Sequence, residues 1–221
     1  MATNKQSTLV RILIILAIYL AIRYLGGSIG RTILYPINLF VTFLHEFGHG
    51  LGAILTNGSV ENLQINEDGS GFAVTRGGNR AIILMGGYLG SAILGNLLFF
   101  IGVRMRKFSR WTLLILAALM LFAGIKWFNS LFTTGLLIAF AIVLVWIANK
   151  TRFHDEVLMF LGLASILYII EDFNVGPSSD LAAYAETMVI LPASAWMYIW
   201  LAIALLLTGF NLWLIFKRDR A

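Results

Sequence analysis

The sequence predicts an all-α polytopic membrane protein, with six or seven transmembrane helices and a short β-hairpin between spans two and three. Three observations carry this. The 221-residue chain is 59% hydrophobic and 12% charged, with a mean hydropathy of +0.86, whereas soluble domains carry about 25% charged residues. Its apolar residues gather in runs close to the roughly 20 residues that a spanning helix needs. One stretch, residues 57–80, breaks that pattern and is polar and glycine-rich. The length suits a single domain over residues 1–221.

The seven candidate spans are residues 8–24, 36–56, 81–103, 111–128, 131–149, 157–170 and 195–216. The first reads as a retained span and not a cleaved leader. It is long, contains Arg11 and Arg23, and lacks a small-x-small cleavage site. The fourth has the composition of either a span or a re-entrant segment, and the sixth is short. Within residues 57–80, Glu61 to Ile65 alternates, Asp68-Gly69 is a turn signal, and Phe72 to Thr75 has strand composition.

The net charge of +5 does not call for a nucleic-acid partner. The basic residues cluster between apolar runs, as expected at the surface of a lipid bilayer. Arg104, Arg106, Lys107 and Arg110 form one cluster, Lys150 and Arg152 another, and Lys217, Arg218 and Arg220 a third. With seven spans these groups fall on one side together with Arg23 and Arg31. The positive-inside rule makes that side cytoplasmic and the N-terminus external. Trp111, Trp127, Trp196 and Trp200 read as interfacial anchors. The chain is expected to be a multi-pass protein of the cell membrane.

Span two contains His45-Glu46-Phe47-Gly48-His49, an HExxH motif. On a helix, positions i and i+4 share a face, so both imidazoles reach one metal ion. Glu46 adjoins the first ligand and is the candidate catalytic base. Zinc brings the pKa of a bound water to about 7, where a carboxylate accepts its proton. The motif sits about 13 Å of helix beyond Pro36 and about 10 Å before Thr56, well inside a hydrocarbon layer of roughly 30 Å. An acidic side chain there costs about 2.5–3.5 kcal/mol, which a metal and a water-filled cavity would offset.

Two histidines leave zinc one protein ligand short. The chain has no cysteine, so the third comes from His154 or a carboxylate. Glu61, Glu67 and Asp68 lie in the polar stretch, Asp219 in the basic tail, and His154, Asp155 and Glu156 at a solvated helix start. Glu171, Asp172, Asp180 and Glu186 remain. Asp180 follows Gly176-Pro177-Ser178-Ser179 and opens an apolar helical run. From spacing alone it is a ligand or a helix cap.

These residues resemble the site-2 protease family of intramembrane zinc metalloproteases, in its compact form without PDZ or CBS domains. Three blocks carry the likeness: the HExxH motif with Gly50, Gly52 and Ala53; Gly86-Gly87-Tyr88-Leu89-Gly90 through Gly95-Asn96; and Ser179 to Thr187, followed by Pro192 and Trp196. The likeness implies a zinc endopeptidase that cuts transmembrane or membrane-proximal proteins, with Asp180 as third ligand and Asn96 as a substrate or oxyanion contact. Asn96 suits an interhelical hydrogen bond equally, and the glycines suit close helix packing. Better-known members carry Asn-x-x-Pro before an Asp-Gly pair. Here Leu181 follows Asp180 and the nearest preceding proline is Pro177, so Asp172 is the reserve ligand.

Two rival readings stand beside this one. CAAX-processing and heat-shock type membrane proteases share HExxH but use a downstream ExxxD. Four residues beyond Glu156, Glu171 and Glu186 stand Phe160, Val175 and Ile190. The other rival is a non-catalytic scaffold that keeps a metal site, against which the intact Glu46 argues.

Overall fold

A computed structural model describes residues 5–171, 173 and 175–217. The reserve ligand Asp172 lies outside the described residues. The order of elements is α1 (Lys5–Leu20), a π-helical turn (Ala21–Leu25), α2 (Gly27–Leu55), β1 (Ser59–Ile65), β2 (Gly71–Arg76), α3 (Arg80–Met85), a second π-helical turn (Gly86–Gly90), α4 (Ser91–Arg104), α5 (Ser109–Lys126), α6 (Leu131–Lys150), α7 (His154–Glu171), α8 (Asp180–Met188) and α9 (Ala193–Phe216).

Each of the seven apolar segments is helical. Among the described residues, five helical stretches are long and apolar enough to cross a membrane: Gln6–Leu25, Arg80–Arg104, Arg106–Lys126, Leu131–Lys150 and Ala193–Phe216. The fourth segment is a continuous helix. The two that fall short are α2, which carries the HExxH motif and its glycines, and α7, which opens on His154-Asp155-Glu156. Helix α2 begins at Gly27, runs through Pro36, and buries 15 of its 29 residues. Its buried residues gather from Leu39 onward, where other elements enclose it, while most of residues 27–36 are exposed.

That early start of α2 overturns the expected orientation. Arg11 pairs with Glu156 at the start of α7, and Tyr19 packs edge-on against Phe160 at 6.2 Å. Helices α1 and α7 therefore run in the same direction. Arg106 pairs with Asp155, and Arg110 donates to Asn149 at 2.8 Å. The beginning of α1 thus lies at the basic end, and Arg23 lies about 18 Å further along. The chain turns at Gly26-Gly27, where a Cβ on Gly30 would meet the Ile22 carbonyl oxygen at 2.0 Å, and not at Pro36.

The hairpin forms as expected, antiparallel, with Val60 opposite Thr75 and Leu63 opposite Ala73, and a bulge between Val60 and Asn62. Gly69 supplies the left-handed turn residue at φ +92°. Asp68 accepts from the Ser70 hydroxyl and N–H, which holds its carboxyl below the usual range. The turn is strapped along α2, because Tyr35 and Thr42 hydroxyls donate to the Glu67 and Gly69 carbonyls, each at 2.6 Å.

The two strands have different surroundings. On β1, Leu63 N–H donates to the Trp127 carbonyl at 3.2 Å. Ile65 exchanges bonds with the Thr133 hydroxyl, 3.0 Å each way. The outer edge of β1 is therefore covered by the α5–α6 corner. Trp127 is buried at that corner and Trp200 is buried against Tyr184, so neither is the interfacial anchor expected of it. They fill space beside the polar centre, while Trp111 is exposed as an anchor should be.

Candidate metal centre

The i, i+4 spacing on α2 brings His45 and His49 together, with their Nε2 atoms 3.1 Å apart. Asp180, the first residue of α8, reaches the same point. Its Oδ2 is 2.9 Å from His45 Nε2 and 3.2 Å from His49 Nε2. Zinc with bonds of about 2.0–2.1 Å in tetrahedral geometry separates its ligand atoms by about 3.3 Å. The three donor atoms form a triangle near that size.

The donor chemistry fits a cation as well. His49 Nδ1 lies 2.7 Å from the Ile83 carbonyl, a group that only accepts, so Nδ1 carries the proton. The ring's Nε2 faces a carboxylate oxygen and a second imidazole nitrogen. A metal ion between them would satisfy all three, and the Ile83 bond is of the kind that orients a ligating imidazole.

Asp180 is free for this role because it is not the cap of α8. Ser179 is: its Oγ accepts from the Ala182 N–H at 3.2 Å, and its hydroxyl donates to the Gly176 carbonyl at 2.7 Å. The capping role at this helix start therefore falls to Ser179.

Glycines bring the surrounding backbone close. A Cβ on Gly86 would meet the Gly48 carbonyl oxygen at 2.4 Å. A Cβ on Gly87 would meet His45 Nε2 and His49 Nε2, both at 2.5 Å. The glycine spacing therefore serves helix packing, and Gly87 also makes room for the donor atoms. The next residue, Tyr88, is buried and sets its ring edge-on to His45 at 4.8 Å. On the other side, a Cβ on Gly71 of β2 would meet Glu46 Cγ at 2.9 Å and Thr42 Cγ2 at 2.8 Å.

Glu46 is buried, at 5% exposure. It shares a cavity of about 540 Å³ with His45, His49 and Asp180, walled by Gly71, Phe72, Ala73 and Thr75 of β2. A second cavity of about 280 Å³ also touches His45, Glu46, Tyr88 and Ser178. A water has room beside Glu46 and the three donors.

The family model described as Peptidase M50B-like matches residues 9–210. The chain belongs to the peptidase M50B-like family. No curated protein and no solved structure matches it. The M50B match runs from α1 into α9 and takes in every element that builds the centre. It makes the protein a membrane metalloprotease of the site-2 protease type.

Of the residues singled out in the sequence of this M50B protein, four come together: His45, Glu46, His49 and Asp180. Asn96 does not join them. Its amide donates to the Ala92 carbonyl at 2.9 Å and to Thr208 of α9 at 3.2 Å, and its Oδ1 accepts from Asn211 at 2.9 Å. These bonds tie α4 to α9, in keeping with an interhelical role. Gly71, Gly87, Tyr88 and the Ile83 carbonyl were missed as site groups. Only the glycine-rich run hinted at the second and third.

Proposed function

We propose that this M50B protein is a zinc-dependent intramembrane endopeptidase. His45, His49 and Asp180 hold the metal and Glu46 is the general base. The observation that carries the reading is the convergence of three donor atoms within 3.2 Å of one another, with the Glu46 carboxyl in the same cavity. Zinc held by His45, His49 and Asp180 would supply Lewis acidity toward a scissile carbonyl and a water. Glu46 accepts the proton shed by the attacking water and passes it to the leaving nitrogen.

The substrate is a transmembrane or membrane-proximal protein. A helical peptide bond hides its carbonyl, so the segment must unwind before attack. The outer side of β2, for which no backbone partner strand is present among the described residues, supports this step: it walls the cavity next to Glu46, while the outer edge of β1 is already occupied by Trp127 and Thr133. An unwound substrate adds to β2 as a further strand. The protein works as a multi-pass protein of the cell membrane.

The test pairs metal content with cleavage. Purified wild type should carry about one zinc per chain, and His45→Ala should lose it. Glu46→Gln should retain zinc and lose roughly 10²–10⁴-fold in cleavage. Metal-free wild type, or undiminished cleavage by Glu46→Gln, overturns the proposal.

A further inference from the structure

Arg80 opens α3 and lines the cavity that holds His45, Glu46, His49 and Asp180. It is exposed, and it is the only Lys or Arg among the residues lining that cavity. Its Nε donates to Thr187 Oγ1 of α8 at 3.3 Å, a bond that orients the guanidinium plane and leaves the terminal nitrogens for another partner. Arg11, Arg76 and Arg106 pair with Glu156, Glu61 and Asp155. Among the described residues no carboxylate pairs with Arg80. The two acids that share its cavity, Glu46 and Asp180, belong to the polar centre.

An oriented guanidinium fork matches a carboxylate, which it binds with two parallel hydrogen bonds. Its position fits a peptide in the cleft. Ile83, whose carbonyl meets His49, lies three residues on along the same face of α3, about 5 Å away along the axis. An extended peptide advances about 3.3 Å per residue, so that offset spans roughly one to two substrate residues, and the length of the arginine side chain extends the reach to a few.

We infer that Arg80 is a specificity-determining residue that pairs with a carboxylate on the substrate segment, a few residues from the scissile bond. This rests on the proteolytic reading above. The carboxylate comes from an acidic side chain or from a free chain terminus, and the peptides below separate the two sources.

The probe is a set of single-span model peptides in vesicles with the full-length protein. One Asp is moved residue by residue across the region of the cleaved bond. Asn at the same position is the neutral reference, and each peptide is made with a free and an amidated C-terminus. Wild type should prefer Asp over Asn at one position by roughly ten- to hundredfold in kcat/KM, the range for hydrogen bonds to a charged group, chiefly through KM. Arg80→Gln should erase the preference and leave the Asn peptide unchanged. Arg80→Glu should favour Lys at that position. Thr187→Val, which removes the clasp and keeps the charge, should retain most of the preference. A preference set by the free terminus alone assigns the carboxylate to a chain end.

Absence in wild type of both an Asp preference and a free-terminus preference overturns the inference. So does equal slowing of Asp and Asn peptides by Arg80→Gln, the result expected if Arg80 anchors to lipid phosphate or only packs α8. If the proteolytic reading fails and no peptide is cut, binding of the same peptides to the Glu46→Gln protein still reads the Asp-over-Asn preference and its loss with Arg80→Gln.

Discussion

Adding one methyl group at Gly87 should empty the metal centre. A Cβ built there lies 2.5 Å from His45 Nε2, 2.5 Å from His49 Nε2 and 2.6 Å from His49 Cε1. Ordinary contact begins near 3.4 Å, so rings or backbone must separate by about 0.9 Å. Ligand positions in a zinc site tolerate about 0.2 Å. The rings have little room to yield: His49 is bonded to the Ile83 carbonyl, and His45 rests against Tyr88. Gly87→Ala should therefore weaken zinc binding by at least roughly 10–100-fold, the range for disturbing groups that orient ligands, and cost about 1–3 kcal/mol of stability from overpacking. Zinc competition against a chelator in detergent gives the first quantity, and thermal unfolding with and without metal gives the second. Gly135→Ala and Gly209→Ala are the controls, since a Cβ at either position meets nothing within 4 Å, and both should keep wild-type affinity. Unchanged zinc affinity in Gly87→Ala refutes the reasoning and the donor set with it.

Two further pairs of substitutions separate roles that sit close together. Asp180→Ala should strip zinc while the helices stay packed, whereas Ser179→Ala should leave zinc in place and cost about 0.5–2 kcal/mol as a lost cap; elemental analysis and melting on both variants decide, and full zinc in Asp180→Ala would remove Asp180 from the ligand set. Thr133→Val should cost about 1–3 kcal/mol, because it leaves both the N–H and the C=O of buried Ile65 unpaired. Thr134→Val, whose hydroxyl donates only to the Gly124 carbonyl, should cost less, and equal melting temperatures for the two would count against β1 being held by the α5–α6 corner.

The legible parts of the fold were those with a strong local signal. Long apolar runs marked every helix. The alternation before Asp68-Gly69 marked the hairpin to within a few residues. Helix α2 was harder because its apolar character is interrupted at Arg31 and Pro36, and a proline inside a helix looks like a boundary until neighbours pack around it. That error carried into the orientation. At the candidate site, the grouping of His45, Glu46 and His49 was readable because their spacing is local. Asp180 comes from 131 residues beyond His49; its turn and helix start marked it in the sequence as a ligand or a cap, and only the likeness to site-2 proteases favoured the ligand. Gly71, the Ile83 carbonyl and Arg80 have no local signature, since each acts through a contact made on folding.

The way the polar motif is buried explains why those unseen contacts are backbone contacts. Glu46 and His49 are buried in a helix with Phe40, Phe43, Leu44 and Phe47 on its other positions. An acidic side chain at such a depth is costly unless polar groups or water meet it. A neighbouring helix with ordinary side chains would stand too far off and would fill the space a water needs. Glycine lets main chain approach instead, at Gly71 over Glu46 and at Gly86-Gly87 over the two imidazoles. The strand and the turn that cover the centre flank α3's first residue, Arg80, so the elements that admit the peptide are distinct from those that supply the donors. Substitutions at Phe72, Ala73, Thr75 or Arg80 on the cavity wall should consequently alter which sequence is cut while zinc affinity stays constant, and a substitution at Gly87, which meets the imidazole nitrogens, should do the reverse.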